Sequence, residues 1–225
     1  MIRLVLFDID GTLIRSGGAG TRAFTQTFKQ VFGAPQATEG ISFSGRTDTA
    51  LVRECLTRIG LETTPEHVSM FFETYVTILQ KNLQELPGEI CPGAEEWLTG
   101  LESIHHRPEI GLLTGNIRRG AELKLASYGL WSRFSFGGYG DDHEDRNQIA
   151  RVAFQRGVER LGTSLRGDEV LVIGDTPHDI ACGRAIHAKV LAVGTGGHSV
   201  AELEPYHADW LVPDLRSISP ESICL

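Results

Sequence analysis

The chain has 225 residues, of which 41% are hydrophobic and 22% are charged, as in ordinary globular proteins, and it can form one large domain or two unequal ones. Its 29 acidic residues against 21 lysines and arginines give a formal net charge of −8. Because no dense basic run offsets this charge, the sequence excludes an electrostatic nucleic-acid footprint. An acidic protein that acts on an anion must concentrate positive charge locally.

Cysteine spacing and hydropathy indicate the compartment. The four cysteines are widely spaced and include no C-x-x-C pair, which favours a reducing cytoplasm over a disulfide scaffold. The short apolar run Met1–Phe7 leads into Asp8 and Asp10 without a cleavage site. No apolar stretch approaches the roughly 20 residues that span a bilayer. We therefore expect a cytoplasmic protein with no membrane partner.

Five short apolar runs predict strands that are buried on both faces. In chain order they are Leu4–Phe7, Ile110–Leu113, Phe134–Phe136, Val170–Ile173 and Val190–Val193. Their hydrophobicity is continuous rather than alternating, as a parallel sheet covered by helices requires. Helical patterns separate most of them, namely Glu95–Ile104, Arg118–Tyr128, Gln148–Arg160 and Asp179–Ile186. Strands that alternate with helices predict an α/β fold with a doubly wound parallel sheet.

One interval, between residues 17 and 87, breaks this alternation. It contains only amphipathic helical patterns, for example the apolar stripe that includes Phe24 and Phe28. Glycine-rich and Pro-Gly segments on either side are typical of hinges. The simplest interpretation is a small α-helical cap domain inserted after the first strand. The predicted domains are an α/β core of residues 1–15 and 89–225, and a cap of residues 16–88.

Polar residues follow three of the predicted strands. They are Asp8 and Asp10 after Phe7, Thr114, Gly115 and Asn116 after Leu113, and Asp175 and Asp179 after Ile173. Open α/β sheets bind ligands at the carboxyl ends of their strands, so we expect these groups to meet at one rim. Two adjacent carboxylates need a cation or a shared proton between them. Free N–H groups where a helix begins near Ile117 would suit a phosphate.

Together these motifs resemble the haloacid dehalogenase-like hydrolase superfamily, in its phosphatase branch with a helical cap. The Asp-x-Asp-Gly-Thr-Leu motif corresponds to Asp8–Leu13, the threonine of the second motif to Thr114, and the Gly-Asp motif to Gly174–Asp179. Three motifs in order, each at a strand end, are far more specific than one Asp-x-Asp pair. The wider pattern is most similar to phosphoglycolate phosphatases and their β-phosphoglucomutase-like relatives.

The resemblance implies a Mg²⁺-dependent phosphatase that acts on small phosphorylated metabolites. Asp8 would attack phosphorus and form an aspartyl-phosphate, while Asp10 would protonate the leaving oxygen and then activate water. The metal would bind Asp8, the Asp10 carbonyl oxygen and Asp175. Asp179 would hold the metal's waters or orient a cation, and it also suits the first turn of a helix. The phosphoryl oxygens would be bound by Thr114, Gly115 and Asn116.

Three basic residues are candidates for binding the anionic substrate. The third motif of the family is usually a lysine just before the helix that precedes the Gly-Asp strand, and this chain has Arg146 there. An arginine fork can hold phosphate oxygens. Lys124 is the alternative cation, although its place inside a helix makes it a weaker candidate. Arg46, in a turn of the cap, would contact an anionic end of the substrate or else be a surface cation.

Two other functions stay open at this point. A phosphomutase would use the same aspartyl-phosphate to move phosphate between sugar hydroxyls, and a non-catalytic binding protein could use the same scaffold. The presence of Asp8, Asp10, Thr114 and Asp175 disfavours the second alternative. The sequence determines neither the substrate nor the oligomeric state.

Overall fold

The computed structural model describes all residues, 1–225, as nine α-helices and eight β-strands. The strands are β1 (Leu4–Phe7), β2 (Ile14–Arg15), β3 (Glu89–Ile90), β4 (Glu109–Leu113), β5 (Gly137–Gly138), β6 (Val170–Gly174), β7 (Lys189–Val193) and β8 (Trp210–Val212). The helices are α1 (Ala19–Phe32), α2 (Asp48–Arg58), α3 (Pro65–Glu85), α4 (Ala94–Ser103), α5 (Arg118–Ala126), α6 (Arg146–Leu161), α7 (Pro177–Ala185), α8 (Val200–Leu203) and α9 (Pro220–Cys224).

Six strands form one parallel sheet in the order β5-β4-β1-β6-β7-β8. The chain winds outward from β1 through β4 to β5, then returns to the other side of β1 and continues through β6, β7 and β8. The direction of winding therefore reverses beside β1. Crevices at such a reversal, outside the carboxyl ends of the strands, are where open α/β sheets bind ligands. The predicted fold class is confirmed.

The central strand β1 is buried on both faces, which explains its unbroken run of apolar residues. Phe7 belongs to the same buried cluster as Trp97 of α4. Leu6, which points to the opposite face, belongs to a second cluster with Ala153 of α6. Helices thus cover both faces of the sheet, and a strand in this position has no polar face.

One predicted strand, Phe134–Phe136, was wrong in position, because the paired residues are the next two, Gly137 and Gly138 of β5. A Cβ on Gly138 would lie 2.5 Å from the carbonyl oxygen of Ile149, so α6 crosses this edge too closely for a side chain. The Phe134 ring instead makes an edge contact with Phe7, with ring centroids 6.2 Å apart. Aromatic residues therefore pack beside the sheet edge while the glycines pair. The other four predicted strands are confirmed to within one residue at each end.

The helical cap, which comprises α1, α2 and α3, has an apolar core of its own. Its largest buried side chains include Phe24, Phe28, Leu51, Phe71 and Tyr75. The sequence did not predict β2 and β3, which pair antiparallel where the chain enters and leaves the cap. The sequence also missed the edge strand β8, which is only three residues long and partly buried. None of the helices is both long and apolar enough to cross a bilayer.

Candidate active site

The carboxylates of Asp8 and Asp10 line one cavity of about 560 Å³ between the sheet and the cap. They have different partners. Asp8 is buried, and its Oδ1 accepts a hydrogen bond from Nη2 of Arg146 at 2.8 Å. The Asp10 side chain is 41% exposed, and its Oδ2 accepts one hydrogen bond from Lys124 and one from Asn116. The two adjacent carboxylates are therefore separated by pairing with different cations.

Three buried aspartates, Asp8, Asp175 and Asp179, each place a carboxylate oxygen within 4.8 Å of the others. Burial raises the pKa of Asp8 to about 7, against the opposing effect of Arg146. Burial, followed by the charges of Asp179 and Asp8, raises the pKa of Asp175 well above its usual range. Clustered carboxylates of this kind are destabilised as anions unless a cation joins them. An all-oxygen donor set fits a hard divalent cation such as Mg²⁺.

Arg146 is the first residue of α6, and its guanidinium is buried beside this aspartate trio. Nη2 donates to Asp8 and to Asp179, while Nε has no partner in the chain. Burial disfavours the charged guanidinium, but Asp179 and Asp8 outweigh that effect and raise the pKa of Arg146. Asp179 also accepts hydrogen bonds from the backbone N–H and hydroxyl of Thr176 at the start of α7. Asp179 therefore both caps a helix and fixes Arg146.

The loop after β4 places Thr114, Gly115 and Asn116 at the same cavity. Nδ2 of Asn116 donates to the Thr114 hydroxyl and to Asp10, each at 2.8 Å. The sequence predicts free N–H groups where a helix begins near Ile117, and some of the amides there are free while others are not. Those of residues 116, 117 and 118 donate to Thr114, Asp48 and Asp141. The N–H groups of Gly115, and of Arg119 and Gly120 in the first turn of α5, have no acceptor within the chain.

Lys124 contacts Asp10 and Asn116 directly, although its position inside a helix made it the weaker candidate. Its side chain is 6% exposed, and Nζ lies 2.5 Å from Asp10 Oδ2 and 2.7 Å from Asn116 Oδ1. The signal was available in the helical period, because Ile117, Gly120 and Ala121 are all buried and Lys124 lies on the same face of α5. A lysine on a buried face needs a polar or charged partner. What the sequence could not supply was the identity of that partner.

The cap turn that contains Arg46 lies against the rim of the sheet. Arg46 lines the cavity, but its guanidinium is paired with Glu54 of α2 at 2.7 Å. Thr47 donates from its hydroxyl to the carbonyl oxygen of Glu144 at 2.8 Å. Asp48 accepts from the Ile117 amide at 2.9 Å and donates its own N–H to the Gly115 carbonyl at 2.8 Å. These contacts join the cap to the loops after β4 and β5.

Asp48 is a buried carboxyl group that sequence reasoning missed. Burial raises its pKa to about 7, although the Lys124 ammonium and the Ile117 amide act in the opposite direction. The folded protein therefore binds a proton that the unfolded chain releases near pH 4. The stability from this group is fully present below that pH and is lost as pH rises through about 7. The pKa shift corresponds to a decrease in the free energy of unfolding on the order of 4 kcal/mol as pH rises from about 4 to about 7.

Asp48→Asn is therefore expected to flatten the fall in stability between about pH 4 and pH 7, because the amide keeps the hydrogen bond from Ile117 without a charge. The measurement is the melting temperature across that pH range in the presence of a chelator. Asp141→Asn is the matched control, since Asp141 is an exposed carboxylate at the same helix start. Identical pH dependence in Asp48→Asn and the unmodified protein would contradict this assignment.

Comparison with known proteins agrees with this architecture. The chain is 25% identical over 224 residues to the pyrophosphatase PpaX of Oceanobacillus iheyensis, an alignment that covers 96% of this chain and 95% of that protein. It is 26% identical to phosphoglycolate phosphatase 1 of Pseudomonas aeruginosa, with 97% and 79% of the two chains covered.

Two solved structures have the same fold. CbbY from Rhodobacter sphaeroides, in complex with phosphate, superposes with a TM-score of 0.74 at 15% identity over the full length of both chains. A β-phosphoglucomutase from Clostridium difficile gives a TM-score of 0.72 at 18% identity, with 99% of this chain and 96% of that chain covered. Residues 5–193, which include the aspartate trio and Arg146, match the model of one sequence family. The chain belongs to the haloacid dehalogenase-like hydrolases.

Proposed function

We propose that the protein is a Mg²⁺-dependent phosphatase that hydrolyses small phosphorylated metabolites through an aspartyl-phosphate on Asp8. The observation that carries the proposal is the position of Asp8 at the cavity, beside a buried arginine and within an aspartate trio that needs a cation. A nucleophilic carboxylate divides one difficult displacement into two easier steps. The alternative, a passive anion-binding site, does not require three buried acids next to the bound anion.

The chain's other polar groups have distinct roles in this proposal. Arg146, which contacts Asp8, would bind the phosphoryl group that is transferred. The Thr114 hydroxyl, the Gly115 amide and the Asn116 side chain would bind the remaining phosphoryl oxygens. Asp10 would give a proton to the leaving oxygen and take one from the attacking water. Arg46 would contact the leaving group from the cap side of the cavity.

The aspartate trio fits the metal of the proposal. Asp8, Asp175 and the Asp10 carbonyl oxygen would hold Mg²⁺. Asp179 would lie next to these ligands without binding the metal directly. These groups are oxygen donors, as Mg²⁺ requires, and the raised pKa values of Asp8 and Asp175 indicate that the site lacks enough positive charge of its own. When bound, the cation would offset the charge of an anionic nucleophile facing an anionic phosphate. Arg146 alone supplies one positive charge to three carboxylates.

The names of the relatives suggest two classes of substrate, a phosphate ester such as phosphoglycolate and a phosphoanhydride such as pyrophosphate. The cavity wall formed by Phe24, Phe43, Leu51 and Tyr75 leaves room for a small organic group next to the phosphate site. A phosphomutase is the alternative use of the same intermediate. We expect phosphate release to exceed phosphate transfer, with no requirement for a bisphosphate activator.

The experiment is a panel of phosphorylated metabolites, inorganic pyrophosphate and an aryl phosphate, each assayed for phosphate release with Mg²⁺ and with a chelator. The proposal predicts release from at least one member that depends on the metal. Full activity in excess chelator would contradict the metal assignment. Transfer that needs a sugar bisphosphate, without net release, would favour the mutase. Binding without any release would favour the non-catalytic alternative.

A further inference from the structure

We propose that Lys124 is the cation that stabilises the departing oxygen, and that it favours substrates whose leaving group is itself a phosphate. The inference rests on the proposed function, because it needs Asp8 to attack phosphorus. It goes further in assigning a role to a residue outside the three sequence motifs. It also predicts that phosphoanhydrides depend on Lys124 more than aryl phosphate esters do, because an aryl leaving group spreads its charge into the ring.

The position of the ammonium is the first argument. Lys124 reaches the cavity from α5, and Nζ contacts Asp10 Oδ2 at 2.5 Å and Asn116 Oδ1 at 2.7 Å. An ammonium has three N–H donors, and only these two acceptors in the chain lie within hydrogen-bonding distance. One donor is therefore available to a molecule in the cavity. The side chain is nearly buried, so water screens its charge little.

The second argument is the division between the two buried cations of the site. Arg146 contacts Asp8 and Asp179, which places its charge on the side of the attacking carboxylate. Lys124 contacts Asp10, the residue proposed to act at the leaving oxygen. One cation is thus next to the nucleophile and the other is next to the bond that breaks. Each cation is the ion-pair partner of one of the two aspartates, so the loss of either cation would leave Asp8 or Asp10 without its ion pair.

The space beside the Lys124 ammonium limits the size of a leaving group that can contact it. A Cβ on Gly20 of α1 would lie 3.4 Å from Nζ, and 3.9 Å from the Tyr75 hydroxyl. The cap therefore begins directly against Lys124, and a side chain at residue 20 would occupy the space beside it. A compact leaving group with oxygens on its first atom, such as phosphate, can use the free N–H donor there. The ring carbon next to the leaving oxygen of an aryl ester carries no acceptor there.

The chemical step balances with water as the only co-reactant. A carboxylate oxygen of Asp8 forms a bond to phosphorus, and the bond between phosphorus and the bridging oxygen breaks with its electron pair on that oxygen. The departing phosphate carries this charge beside Lys124. Water then hydrolyses the aspartyl-phosphate, which releases the second phosphate and restores Asp8, and the two protons of the water end on the two phosphates. A cation helps most where the leaving oxygen carries most charge.

The test compares inorganic pyrophosphate with 4-nitrophenyl phosphate, whose leaving oxygen spreads its charge into the ring. Lys124→Met should lower kcat/KM for pyrophosphate at least about 100-fold, with the loss mainly in kcat, but lower that for the aryl phosphate by less than about fivefold. Lys124→Gln keeps an N–H donor for Asp10 and should show the same selective loss. Lys81→Met, at a lysine that is 74% exposed in the cap, is the matched control.

Three results would overturn the assignment. Equal losses on both substrates in Lys124→Met would reduce Lys124 to a structural residue. Recovery of pyrophosphate hydrolysis by Lys124→Gln would show that Lys124 only holds Asp10 in place. If the unmodified protein hydrolyses the aryl ester but not pyrophosphate, phosphoanhydrides are excluded as the substrate class. Failure of the unmodified protein on every substrate would instead contradict the proposed function, so the two failures are distinguishable.

Discussion

Asp8→Asn is expected to lower turnover at least about 10⁴-fold on every substrate while the fold stays intact, because an amide cannot attack phosphorus. The substitution removes a buried charge from a carboxyl whose pKa is raised to about 7, so the variant should melt no lower than the unmodified protein. The measurements are phosphate release with Mg²⁺ and a thermal melt monitored by circular dichroism.

The control for this substitution is Asp168→Asn, which makes the same exchange at an exposed carboxylate paired with Arg166. It should leave both turnover and melting temperature unchanged. If Asp8→Asn kept more than a few per cent of normal turnover, Asp8 would not be the nucleophile. If it unfolded the protein, the loss of turnover would say nothing about chemistry, and the melt separates these two cases.

Arg146→Ala is expected to lower kcat on every substrate by about 10²- to 10³-fold, because its guanidinium is next to the proposed nucleophile and should contact the phosphoryl group in the transition state. It should also lower the free energy of unfolding by about 3–5 kcal/mol without metal, since a buried ion pair loses one partner. Mg²⁺ should restore part of that stability, because the aspartate trio would regain a cation.

Arg146→Lys should recover part of the turnover, since a point charge remains while the planar fork is lost. Arg151→Ala is the matched control, because Arg151 is exposed on the same helix and contacts only Gln148. The measurement is a kinetic series on two unrelated substrates, with melting curves in chelator and in Mg²⁺. A loss confined to one substrate would place Arg146 in substrate selection rather than in phosphoryl transfer.

The fold could be predicted largely because its strands are buried on both faces. A run such as Leu4–Phe7 is short and apolar throughout, whereas an amphipathic helix has a polar face. The ends of such strands then locate Asp8, Thr114 and Asp175 on one rim. Short elements were lost for the opposite reason. Strand β5 consists of two glycines, whose place in the sheet depends on how closely α6 crosses it. No local pattern carries that information.

The partners within the site were less predictable than its members. Asp8 and Asp10 are two residues apart, yet one pairs with Arg146 and the other with Lys124, from two different helices. Asp48 looked like an ordinary residue of a cap turn, but it lies against the start of α5. These pairings depend on how helices pack across the sheet, which sequence spacing does not determine. The domain boundaries at residues 15–16 and 88–89 stay predictions.

The central claim is that phosphorus is transferred to Asp8, and mass spectrometry of the trapped intermediate tests it most directly. The protein would be mixed with Mg²⁺ and a hydrolysed substrate, quenched in acid within the first turnover and digested with pepsin. We predict one phosphoryl group on the peptide that contains Asp8 and Asp10, with fragment ions that place it on Asp8. A phosphoryl group on any other residue, or none under conditions where phosphate is released, would contradict the account.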